Sequence, residues 1–74
     1  MTTLLGELPP EGAVVLLTPA ACDWVDVPVR FRVIVARAGE RPDTVLLRGW
    51  FLDGRAIREE HVTAALSALT VVSA

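Results

Sequence analysis

No lysine and no tyrosine occur in this chain, and it holds one cysteine and one histidine. A single thiol excludes an intrachain disulfide. One cysteine and one histidine also fall short of the four ligands a structural zinc site requires. An unpaired Cys22 points to a reducing, cytoplasmic setting. The longest stretches without a charge, Gly12–Cys22 and Val62–Ala74, are shorter than the roughly 20 residues of a membrane helix. "MTTLLGELPPEG" has neither the basic leader nor the continuous apolar run of a secretory signal. Gly6, Gly12, Gly39, Gly49 and Gly54 are scattered, so no loop is rich enough in glycine to cradle a phosphate. No alternating carboxylates resemble a calcium loop. The expectation is a soluble cytoplasmic protein without metal or cofactor and with no membrane partner.

Catalytic chemistry is equally sparse. Cys22 and His61 are the one conceivable nucleophile–base pair, with Asp23 or Asp26 as orienter, but no motif surrounds either residue. Ser67 and Ser73 lie in no nucleophile-elbow context. Cys22 reads as a small buried hydrophobe and His61 as a surface residue, and the chain is not expected to be an enzyme. A net charge of −2 supplies no bulk attraction to nucleic acid, so any such binding has to come from a local patch.

What the chain does have is β-forming material. Apolar residues make up 53% and charged ones 22%, a balance that supports a packed core and argues against disorder. The eleven valines and two isoleucines favour strands. The all-arginine basic set and abundant alanine read as the codon bias of a GC-rich bacterial genome. With 74 residues the chain is one domain that buries only about 60% of its unfolded surface, so its stability margin is thin.

Residues 1–12, closing on Pro9-Pro10-Glu11-Gly12, read as an N-terminal arm, and 13–74 as a single β-rich domain. Ala13–Thr18 reads as a strand buried on both faces or paired centrally. Trp24–Arg37 alternates with period two: Val25, Val27, Val29, Phe31, Val33 and Val35 form the core parity. Pro28 marks a strand start, an edge or a bulge. Ala38–Asp43 reads as a hairpin loop, with Gly39 able to take positive φ and Pro42-Asp43 favouring a turn. Thr44–Asp53 follows, with Val45, Leu47, Gly49 and Phe51 facing the core. Gly49 there suggests a bend or a close backbone approach, and Asp53-Gly54 signals a second hairpin.

The last third allows two readings. One is a strand over 55–62, a helical turn over 63–69 and a final strand over 70–72, which gives a small five-stranded SH3-like barrel. The other is an antiparallel sheet packed on one C-terminal helix, since Val62, Ala65, Leu66 and Leu69 also keep helical spacing.

One constellation stands out. Pairing of the two long arms would gather Arg30, Arg32, Arg48 and Trp50 on the non-core face, flanked by Ile34, Leu46, Leu52 and Trp24. Arginine and tryptophan are enriched at binding hot spots, while arginine stems also cover apolar surface without any binding role. The functional expectation is a non-catalytic protein-interaction or self-association module, as a homo-oligomer or with a protein partner. The alternative is a small nucleic-acid-binding barrel that stacks bases on Trp50 and meets phosphates with the arginines.

Overall fold

The computed structural model describes residues 2–3, 8–53 and 58–73. The chain is all-β. Among the described residues its strands are β1 (Thr2–Thr3), β2 (Val14–Leu17), β3 (Val29–Ala38), β4 (Thr44–Phe51), β5 (Glu60–Ala65) and β6 (Thr70–Ser73), and a 3₁₀ turn covers Leu66–Ala68. Every pairing is antiparallel, in the order β1-β6-β2-β3-β4-β5. β1 is a two-residue addition to five longer strands. Among the described residues no helix is long and apolar enough to cross a membrane.

One face of the curved sheet makes the core. Val15 and Leu17 of β2, Phe31 and Val33 of β3, Val45 and Leu47 of β4, Val62 and Ala64 of β5 and Val71 of β6 are all buried. Leu66 and Leu69 close it from the 3₁₀ turn, and Ala21 and Cys22 from the β2–β3 connection. Period-two alternation explains the selection, because every second side chain points to the same face. Phe51 packs edge-on against Phe31, with ring centroids 5.0 Å apart.

Several expectations need correcting. The sheet is not closed into a barrel. Its two ends are β1, paired to β6 through Thr2↔Val71 and Thr3↔Thr70, and β5, and among the described residues these two strands do not pair. The C-terminal helix does not form either. Residues 60–65 are strand because Val62 and Ala64 pair with Leu47 and Val45 and join the core, a tertiary gain that outweighs alanine's helix propensity. Thr2–Thr3, within the N-terminal arm, pairs with β6. The Asp53-Gly54 hairpin and the part of the proposed strand at 55–57 fall outside the described residues.

The alternation of β3 breaks at both ends. β3 starts only at Val29, after Pro28 and opposite Leu17, so the earlier valines have no strand to pair with and Val27 is 61% exposed. Val25 is half-buried against the core. Further on, the register jumps from Val33↔Gly49 to Val35↔Arg48, a β-bulge at Ile34. Past it the parity is reversed: Ala36 and Ala38 oppose the core residues Leu47 and Val45, and Val35 and Arg37 move to the outer face.

Gly49 is where the bulge meets β4. A Cβ built there would lie 1.8 Å from the Arg32 carbonyl oxygen and 2.9 Å from the Phe31 ring. Only glycine lets the two backbones come this close. In the β3–β4 loop the residue at positive φ is Asp43 (φ 62), not Gly39. Gly39 is instead held by space, because Thr44 Oγ1 would sit 2.1 Å from an added Cβ.

Asp43 also ties the loop to the 3₁₀ turn. Its carbonyl accepts Leu66 N–H at 2.7 Å and its Oδ1 accepts Ser67 N–H at 2.9 Å, while the Ser67 hydroxyl donates to Oδ2. Aspartate tolerates the left-handed conformation better than most side chains.

Two stability outcomes follow in urea unfolding. Gly49→Ala should lose about 3 kcal/mol or fail to fold, since the clash is with backbone and cannot be relieved by a rotamer change. Asp43→Ala should lose about 1–2 kcal/mol, with Asp43→Asn recovering roughly half by keeping one acceptor and the left-handed preference.

Candidate functional site

The outer face of the sheet carries all four strand residues singled out from the sequence, and the register places each. Arg32 lies opposite Trp50, and Arg48 lies between Val35 of β3 and His61 of β5. Arg30 stands at the end of the β3–β4 pairing, where its carbonyl accepts Leu52 N–H at 2.9 Å. Trp24 is elsewhere. It sits in the β2–β3 connection, where Ala21 and Cys22 N–H both bond the Thr18 carbonyl and fold that segment into a turn.

The arginines divide into two groups. Arg30 is committed to Asp53: its Nη2 lies 2.7 Å from Oδ1, its Nε within 3.3 Å of both carboxylate oxygens, and its backbone N–H 2.9 Å from Oδ2. Arg32 Nη1 donates to the Gly12 carbonyl at 2.9 Å, which ties β3 to the turn ahead of β2. These two staple the end of the sheet where Trp50 is half-buried.

The rest of the face is open. Arg48 has a loose ion pair with Glu59, Nε to Oε1 at 3.6 Å. Arg37, opposite Leu46, has no ion pair among the described residues. Between them runs a groove of about 390 Å³, lined by Val35, Arg37, Leu46, Arg48, His61 and Thr63, with Leu47 and Val62 beneath. Leu46 is 44% exposed, and the groove's polar rim is basic, with no acid among its lining residues.

β5 forms one wall of this groove and one edge of the sheet. Ala65 N–H points away from β4 and bonds the Ala21 carbonyl at 2.7 Å, whereas Leu66 N–H points back to Asp43. In an antiparallel strand the backbone groups of alternate residues face the same edge. The N–H and C=O groups of His61 and Thr63 therefore face outward beside the groove, with no backbone partner among the described residues.

Val35, Arg37, His61 and Thr63 were not among the residues expected at a site. The bulge put the first two on this face, and the strand identity of 60–65 supplied the others. One signal was available: Val33-Ile34-Val35-Ala36 is four apolar residues running, which an uninterrupted half-buried strand does not contain.

Cys22 is buried in the core while His61 is exposed on the opposite face, so the two do not meet. Among the described residues no three histidine, cysteine or acidic side chains converge as metal ligands would.

The Arg30 guanidinium holds the Asp53 carboxyl at about 2, chiefly by hydrogen bonding to it and secondarily through the Arg30 backbone N–H. The unfolded value is near 3.9. A carboxyl depressed on folding stabilises the fold above the unfolded value and loses that contribution as pH falls from about 4 to about 2. A carbon-detected NMR titration should give the low Asp53 midpoint, and Arg30→Ala should move it most of the way back towards 4. Comparison with protein-family models, with curated proteins and with solved structures finds no match to this chain.

Proposed function

We propose that the chain is a non-catalytic protein-interaction module that takes an extended segment at the β4–β5 end of its outer face. The observation that carries this reading is the basic-rimmed apolar groove beside an unpaired strand edge. Val35 and Leu46 offer apolar contact, Arg37 and Arg48 offer charge, and the His61 and Thr63 backbone groups offer hydrogen bonds to an added strand. Strand addition draws its affinity from such backbone groups and its selectivity from alternate side-chain pockets.

The order β6-β2-β3-β4-β5, with one 3₁₀ turn ahead of the last strand, also supports an opened variant of the SH3-like architecture. Many unrelated functions share that architecture, so it adds little to the functional reading. Nucleic-acid binding has less behind it. Arg30 and Arg32 are already engaged, and Trp50 is half-buried rather than presented for stacking.

Titration with a short blocked peptide alternating glutamate and valine tests the proposal. Amide shifts should concentrate at Val35, Arg37, Leu46–Arg48 and His61–Thr63, and binding should weaken several-fold in Arg37→Ala and again with added salt. No shifts at about 1 mM peptide, or shifts scattered away from these strands, would count against it.

A further inference from the structure

We infer that the groove's occupant is a second copy of this chain, which inserts the segment Asp23–Val27. The inference rests on the interaction reading above and names its partner. Trp24 and Val27 are 62% and 61% exposed, the most open large apolar side chains among the described residues. They lie three residues apart on a connection that pairs with no strand, and each directly follows an exposed aspartate, Trp24 after Asp23 and Val27 after Asp26. Neither aspartate forms an ion pair among the described residues.

The segment and the groove are complementary in composition. The groove has an apolar floor of Val35 and Leu46 between Arg37, Arg48 and His61, and no acid lines it. The segment alternates two acids with the exposed Trp24 and Val27, around a Val25 that packs on its own core, and has no base. A tryptophan set between two arginines gains apolar burial together with cation–π attraction. Trp24 does not line the groove of its own chain.

Placement favours a closed pair. The Ala21 carbonyl that accepts Ala65 N–H holds the root of the segment at the end of β5, the strand that walls the groove. Segment and groove thus border the same sheet edge, and two copies related by a twofold axis can exchange the contact reciprocally. Such a pair also answers the thin stability margin of a chain of 74 residues.

Sedimentation equilibrium at low salt, from about 10 µM to about 1 mM, provides the test. The average mass should rise from 8.0 kDa towards twice that value. Trp24→Ala should raise the dissociation constant at least about tenfold. Asp26→Arg and Arg37→Asp should each be monomeric alone, and a mixture of the two should recover the dimer, because both reciprocal contacts then pair opposite charges. All three positions are exposed, and an unchanged far-ultraviolet spectrum verifies the fold of each variant. A wild-type chain that remains monomeric at about 1 mM overturns the second-copy occupant, as does a dimer insensitive to both Trp24→Ala and Arg37→Asp. Peptide-induced shifts in a monomeric chain would leave the interaction reading standing while this inference fails.

Discussion

The close approach of β3 to β4 at Gly49 governs both faces of the sheet. With no side chain there, the Arg32 carbonyl comes within a distance that any Cβ would block. β3 accommodates one extra residue at this point, and its parity reverses. On the inner face, Phe31 and Val33 fill the core before the bulge, and the smaller Ala36 and Ala38 face Leu47 and Val45 after it. On the outer face the same reversal brings Val35 and Arg37 out beside Arg48 and Leu46. Core and groove are therefore two results of one backbone irregularity, and bulges commonly re-aim side chains in this way.

Electrostatics then separates the outer face into a closed half and an open half. Arg30 and Arg32 spend their donors on Asp53 and on the Gly12 carbonyl, which fastens the ends of β3 to neighbouring segments. Arg48 keeps only a longer contact to Glu59, and Arg37 stands over the groove. Exposed ion pairs of this type add little stability. Their effect is to leave one end of the sheet internally satisfied and the other with basic groups still able to meet a carboxylate. That asymmetry directs the functional reading to β4 and β5 rather than to the Arg/Trp end.

Much of the fold was legible in the residues. Ala13–Thr18 reads as a strand buried on both faces or paired centrally, and within it Val14–Leu17 pairs on both sides, with β3 and β6. The parity of Val45, Leu47 and Gly49 matches their burial, and the close approach at Gly49 could be anticipated from a glycine on a core parity. Trp24, Val27 and Val35 were misplaced for two reasons. Alternation says which side chains share a face but not where a strand finds its partner, and Leu17↔Val29 is where pairing with β2 ends. It also assumes an unbroken register, which the bulge violates. Of the candidate site, the shared outer face of Arg30, Arg32, Arg48 and Trp50 was legible, but the division of labour among the arginines was not, because it depends on Asp53, Gly12 and Glu59 arriving from other segments.

The sequence by itself determined a β-rich chain, the hairpin of the two long arms and the arginine-bearing parity of that hairpin, because these follow from local alternation and turn chemistry. Tertiary structure alone decided three further things. It made 60–65 a strand, since Val62 and Ala64 reach the core only in extended form beside β4. It left the sheet open, since its two end strands, β1 and β5, do not pair with each other among the described residues. It also placed the basic groove beside the free edge of β5, since the residues that form it come from three strands, and only the register between those strands sets which side chains meet.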